Sequence, residues 1–217
     1  MESTLDSLGN SLSALISKTN QSIQDDVDRT IMYLDWLIKK TEYINCERDP
    51  IKIPDRAIPK TIDAFRFSKL PEKEKIFLRQ FYRKDESDYI VSVILSNIDD
   101  LNRARIARDL LLSRGRVCWV EFGFNIGCEY GGRHPAIVIK NYGNTLWVIP
   151  LTSQEPEKER DYLLEVPFIH ELQPMRRWAV ISSMTTISTH RVDFNGHFGR
   201  VNGAILNEIR DRIKKQI

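Results

Sequence analysis

Residues 115–153 read GRVCWVEFGFNIGCEYGGRHPAIVIKNYGNTLWVIPLTS, and this stretch decides the fold. Val117–Phe122, Ala136–Lys140 and Thr145–Pro150 are short runs rich in β-branched and aromatic residues, the composition of strands. Asn141-Tyr142-Gly143-Asn144 separates the last two with residues that accept the positive φ of a tight hairpin turn. Between the first two lies a glycine-rich loop, where backbone can approach a ligand closely. Downstream, Tyr162–Val166 and Trp178–Ser182 repeat the strand pattern. Asn202 to Ile217 then returns to helical spacing through Ala204, Ile205, Ile209 and Ile213, so a helix should cap the sheet.

Upstream the periodicity is helical. Leu5, Leu8, Leu12 and Leu15, then Ile23, Val27, Ile31, Leu34 and Leu37, recur every three or four residues along one face, with Gly9 and Asn20 weakening the pattern without stopping it. Pro50, Pro54 and Pro59 remove backbone donors and mark an extended connector. Pro71-Glu72-Lys73-Glu74 places proline and acids at the start of a second helix. A third is predicted from about Ser87 to Leu112, closed by Ser113-Arg114-Gly115. The expected fold class is therefore α+β, with residues 1–113 a helical region and 114–217 an antiparallel β domain with a C-terminal helix.

Composition limits the function classes. Of 217 residues, 41% are hydrophobic and 29% charged, which fits a globular chain and excludes collagen-like or disordered architectures. The net charge of +2 is too even for a sequence-blind duplex binder. It is unevenly spread, with 18 basic against 19 acidic residues up to Leu112 and 14 against 11 beyond, so the β half is the better site for an anion. The first ten residues carry no Lys or Arg ahead of an apolar run, so no export signal is expected. No apolar run approaches the ~20 residues of a membrane span. Cys46, Cys118 and Cys128 are odd in number and lack the spacing of a zinc site, which fits a reducing cytoplasm. No metal or cofactor is expected.

The order of a G-x-hydrophobic-W-V-x-F strand, a glycine loop leading into an arginine or histidine before Pro135, a buried A-x-V strand, and a strand ending in Pro150-Leu151-Thr152-Ser153 resembles the MazF/PemK family of toxin endoribonucleases. The likeness covers the C-terminal half alone. It implies a small SH3-like barrel acting as a homodimer, and metal-independent cleavage of single-stranded RNA at short sequences. The 2′-hydroxyl attacks the adjacent phosphate in that chemistry. Such a reaction needs a base for the 2′-hydroxyl proton, an acid for the departing 5′-oxygen, and donors for the phosphorane. A cognate antitoxin protein is the implied partner.

Carried onto this chain, the family pattern makes Glu129 and Thr152 site residues. Where the family has arginine before the proline this chain has His134, with Arg133 one position earlier. His134 titrates near neutrality and suits proton transfer, and the Arg133 fork suits phosphate oxygens. Successive residues on a strand face opposite ways, so both face one phosphate only if they lie in the loop. Further on, the family's Gln, Arg and Asp are replaced by Ser183, Thr185 and Ser188. These hydroxyls, with Ser153, His190 and Arg191, are candidate RNA contacts. Each has a plainer role open to it: a capping hydroxyl, a solvated charge, a packing histidine. Trp119, Trp147 and Trp178 are core or dimer-interface candidates before they are stacking platforms. The alternative function is a catalytically silent barrel that binds protein or nucleic acid, with the helices recognising the partner.

Overall fold

The structure, a computed structural model, describes residues 2–86, 89–92, 98–125 and 130–216. It divides into two compact units, Met1–Glu47 and Arg48–Ile217. In the first, α1 (Glu2–Asp25) and α2 (Val27–Asn45) are separate helices. The break falls at Asp26, which is extended at φ −157°, and whose carboxylate accepts from the Arg29 N–H at 2.9 Å as an N-cap. The apolar periodicity runs across this point, but the cap stops the helix.

The second unit opens with the proline-rich connector and one turn of 3₁₀ helix at Asp55–Ala57. There follow β1 (Thr61–Asp63), α3 (Ala64–Ser68), α4 (Glu72–Leu78), β2 (Tyr82–Lys84), β3 (Tyr89–Ser92) and α5 (Asp100–Leu110). The three strands form an antiparallel sheet in the order β1-β3-β2, with Ile62 opposite Ile90 and Arg83 opposite Val91. This corrects the reading of residues 1–113 as helical. Within the helix predicted from about Ser87 to Leu112, the described residues form a strand at Tyr89–Ser92 and a shorter helix at Asp100–Leu110, and residues 87, 88 and 93–97 lie outside the described ones. Tyr89-Ile90-Val91 is β-branched and aromatic, and it pairs on both sides. Asp99 then caps α5 by accepting the Asn102 N–H at 2.8 Å.

The remaining chain forms β4 (Arg116–Glu121), β5 (Arg133–Asn141), β6 (Thr145–Thr152), β7 (Leu163–Val166), β8 (Arg177–Val180), β9 (Thr185–Ser188), β10 (Val192–Asp193), β11 (Gly199–Arg200) and α6 (Gly203–Gln216). All pairings are antiparallel along the path β10-β4-β5-β6-β8-β7, with β11 on β4 and β9 on β6. Among the described strands the two ends of that path do not pair, so the sheet is open rather than the closed barrel expected. The β5–β6 turn is as predicted: Gly143 has φ +95° and donates its N–H to Asn141 Oδ1 at 2.7 Å.

Alternation sends the apolar residues of β4, β5 and β6 to two cores. Cys118, Val120, Ala136, Val138 and Val148 join Ile62, Phe77, Tyr82, Ile106 and Leu110 in one cluster, so residues 48–112 and one face of the sheet share an interior. Val117, Ile137, Ile149 and Leu151 form the other with Leu164 and with Ile209 of α6. The second compact unit thus begins at Arg48 and includes both cores. Among the described residues no helix is long and apolar enough to cross a membrane.

Candidate active site

The β4–β5 loop is pinched at its base by backbone bonds, Phe122 N–H to Gly132 O at 2.8 Å and Gly132 N–H to Gly123 O at 2.7 Å. The paired glycines have separate causes. A Cβ on Gly131 would lie 2.8 Å from Gly123 O, and Gly132 has φ +76°. Beyond this neck β5 begins at Arg133, so Arg133 and His134 lie on the strand and point to opposite faces.

His134 sits opposite Val120. The β5–β6 pairing ends with Ala136 opposite Pro150, and His134 and Thr152 each lie two residues beyond that pair on their own strands. Tyr130 joins them. Its hydroxyl donates to Leu151 O at 2.6 Å and lies 3.3 Å from His134 Nδ1, and the Thr152 hydroxyl also bonds it. The Tyr130 ring meets His134 edge-on at 4.6 Å and Phe122 at 5.5 Å. Thr152 Oγ1 accepts the Gln154 N–H at 3.1 Å. Burial pushes the Tyr130 hydroxyl up to about 12, so it stays protonated. Burial also lowers His134 below its ordinary value, against the opposing pull of the Gly131 carbonyl and the Glu121 charge. His134 is neutral at pH 7, the form of a base.

Tyr130 is also one wall of a groove of about 580 Å³, whose lining includes Phe122, Asn125, Ser183, Thr185 and Arg191. The floor is the chain from Ser182 to Ile187, leading into β9. Three of the expected contacts, Ser183, Thr185 and Arg191, therefore meet in one cleft. The Arg191 Nη1 group donates to Phe122 O at 3.3 Å.

Arg133 lies elsewhere. Its Nε and Nη2 donate to Asp193 Oδ2 at 3.0 and 2.6 Å, and its guanidinium stacks 4.3 Å above Trp119, the residue opposite Asp193 in β4. Asp193 Oδ1 accepts the N–H groups of Asn195 and Gly196 at 2.8 and 3.2 Å. Burial works to raise the Asp193 pKa, but the Arg133 bond and charge and these two amides outweigh it and hold it below the usual carboxylate range. Ser188 caps the short 3₁₀ turn at Thr189–Arg191 by accepting the His190 N–H at 3.3 Å. Ser153 is exposed after β6. Glu129 and Cys128 lie outside the described residues.

The sequence reading missed Tyr130 and Asp193. The first sits between two glycines and Glu129 in a loop read for its charges. The second is 60 positions from Arg133 and meets it only through the β10–β4 pairing. Trp178 is buried as expected, whereas Trp147 is 41% exposed, its ring edge-on to Tyr142 at 5.8 Å. Among the described residues no group of three or more His, Cys, Asp or Glu gathers as a metal-ligand set.

Comparison with known proteins gives three findings. Residues 113–217 match the family model of the PemK-like, MazF-like toxin of type II toxin-antitoxin systems. Among solved structures, similar chains include MazF (Form-I) from Deinococcus radiodurans, at 19% identity and TM-score 0.41 over 50% of this chain and 97% of that one. The MazE–MazF complex (Form-II) from the same organism aligns at 18% identity and TM-score 0.38, over 50% and 96%. An endoribonuclease in complex with its cognate antitoxin from Mycobacterial species aligns at 15% and 0.35, over 47% and 90%. No curated protein sequence matches the chain. The likeness to the PemK-like, MazF-like toxin family is thus confined to residues 113–217, just under half of the chain.

Proposed function

We propose that the protein is a toxin-type endoribonuclease that cuts single-stranded RNA at short sequences by attack of a 2′-hydroxyl on the adjacent phosphodiester. The observation that carries this reading is the meeting of His134 and Thr152 at the Tyr130 hydroxyl, beside a groove lined by Arg191 and free-edged hydroxyl side chains, inside the PemK/MazF domain.

In this reading neutral His134 accepts the 2′-hydroxyl proton as the O–P bond forms. Arg191, Ser183 and Thr185 donate to the phosphorane oxygens, and Thr152 with Tyr130 holds the imidazole in place and supplies hydroxyl donors. The P–O bond to the 5′-oxygen then breaks, that oxygen takes a proton from solvent water while His134 returns its proton to solvent, and a 2′,3′-cyclic phosphate and a 5′-hydroxyl remain. Glu129 keeps a supporting role. Arg133, anchored by Asp193, contacts a flanking phosphate rather than the scissile one. Ser153, Ser188 and His190 extend the RNA track. Metal independence, an SH3-like arrangement of the strands, a homodimer and a cognate antitoxin follow from the resemblance.

The test is incubation of the purified full chain with a long unstructured RNA in EDTA. Cleavage at a short preferred sequence with 5′-hydroxyl ends is expected, and weaker cleavage by His134→Ala and Thr152→Ala. Intact RNA after prolonged incubation with folded protein overturns the proposal.

The second reading, a silent binding module, rests on the same resemblance, which implies Gln, Arg and Asp where this chain has Ser183, Thr185 and Ser188. Expression of the full chain in bacteria separates the two. Growth arrest with fragmented RNA supports the nuclease, and harmless expression supports the binder.

A further inference from the structure

Two arginines face each other at the start of β4. Arg116 stands directly opposite Arg200 in the β4–β11 register, which puts both side chains on one face of the sheet, and like charges so placed are destabilising. Arg66 of α3 adds a third cation. Burial and the charges of Arg116 and Arg200 hold its guanidinium down to about 10, against the opposite pull of Glu171 and Asp63.

Acceptors are fewer than donors there. Glu171 Oε2 accepts from Arg116 Nη1 at 3.0 Å, Leu110 O accepts from Arg66 Nη2, and Asp63 Oδ1 is taken up by the Arg66 backbone N–H at 2.9 Å. The Arg200 guanidinium is exposed and has no acceptor among the described residues. Arg116 is 4% exposed, yet its buried Nε also finds no acceptor among them. A buried donor of that kind calls for a ligand oxygen. With both carboxylates counted, three cations still meet two anions. Glu171 is moreover the one non-glycine residue at positive φ among the described residues, at +68°, so backbone strain opposes its hold on Arg116.

An aromatic surface adjoins the cluster. His170 and Arg200 exchange two backbone hydrogen bonds of 3.0 Å, which sets the imidazole beside the Arg200 side chain. Phe168, two residues back on the same side, is 50% exposed and meets the His170 ring edge-on at 4.8 Å. Guanidinium forks suited to phosphate and an open ring suited to a base therefore lie side by side.

We infer that Arg116, Arg200 and Arg66 bind the phosphoryl group of a nucleotide whose base stacks on Phe168. The phosphoryl oxygens displace the Glu171 carboxylate, and several of them on one group can serve several forks, as a single carboxylate oxygen cannot. The site is distinct from the candidate groove, because about 20 Å of extended chain separates Arg116 from Phe122. The inference is independent of the proposed cleavage.

The test is isothermal titration calorimetry of the full chain, in EDTA, with each of the common nucleoside 5′-diphosphates and with inorganic pyrophosphate. At least one nucleotide should bind more tightly than pyrophosphate. Arg200→Ala, at an exposed position, should weaken both about 10- to 100-fold, the ordinary worth of charge-assisted hydrogen bonds. Phe168→Ala should bring the nucleotide down to the pyrophosphate level, and Glu171→Gln should tighten both by removing the competing carboxylate. RNA cleavage by Arg200→Ala should equal that of the parent, so failure of this inference and failure of the cleavage reading are told apart. Competition by a short RNA bearing a 5′-phosphate assigns the nucleotide to an RNA end, and its failure to compete assigns it to the free pool. No saturable binding by folded protein at millimolar nucleotide overturns the inference, as does binding indifferent to Arg200→Ala. Pyrophosphate binding as tight as that of every nucleotide, with nucleotide binding unmoved by Phe168→Ala, marks an adventitious ion only and overturns it as well.

Discussion

Arg133 and His134 are adjacent in sequence, yet strand β5 sends them into different physical worlds. On the His134 side a half-buried imidazole, a phenol and a threonine hydroxyl share a short network that adjoins a groove. On the Arg133 side a half-exposed guanidinium is bound to a carboxylate and lies over an indole. One side is a partly dry network of an imidazole and hydroxyls, and the other an ion pair in reach of water. The difference teaches that the period of a strand, not proximity in sequence, sorts chemical roles.

The largest effect that sharpens this contrast is on cleavage. His134→Ala should lower the rate by about 10²–10⁴-fold, the ordinary contribution of a positioned acid or base. Arg133→Ala should act mainly on the salt dependence of RNA binding. Equal losses of rate in a gel-based cleavage assay would break the distinction. Next is Tyr130→Phe, which deletes the donor to the Leu151 carbonyl and should cost about 0.5–1.5 kcal/mol in urea denaturation. Disrupting the Arg133–Asp193 pair should cost less, about 0.2–1 kcal/mol, because Arg133 is 46% exposed and solvent screens it. A double-mutant cycle of Arg133→Ala and Asp193→Ala reads that coupling directly.

The smallest effect is in the pH profile of stability, where the two sides part company. His134 has a folded pKa below its unfolded value, so the unfolded chain takes up its proton first. Its stabilising share is complete above about pH 6.5 and declines as pH falls through and below that point. Asp193 is also depressed, from 3.8, so its share persists through that window and is lost only at pH below about 4. Subtracting the stability profile of His134→Gln from that of the parent should isolate the first decline, and that of Asp193→Asn the second. A difference profile flat between pH 7 and 5 for His134→Gln would remove the case for a neutral imidazole.

The sequence made the central strands and the C-terminal helix readable because each is a local pattern: alternation in Val117–Phe122, Gly143 in a turn, three-to-four spacing from Ala204 to Ile213. Residues 89–92 were misread as helix because Ile90, Ile94, Ile98 and Leu101 also fit helical spacing, and no local rule says that Tyr89–Ser92 will find strands on both sides. The site was legible in part. Thr152 was marked by the family pattern and His134 by its departure from it, and both side chains lie near the Tyr130 hydroxyl, which no local pattern announced. Asp193 was invisible, since its meeting with Arg133 depends on pairing between distant segments. The open strand path in place of a closed barrel has the same origin, because closure is a property of how the strand ends meet.

The interior shared by residues 48–112 and one face of the central sheet has a practical meaning for anyone who would excise the toxin-like portion. A cut at 113, where similarity to the family begins, would strip away the side chains that shelter Cys118, Val120, Ala136 and Val138, and expose an oily surface prone to clumping. Severing before Arg48 leaves that interior whole. What looks beside the family match like an appendage is, in mechanical terms, half of the wall against which the toxin-like half is built.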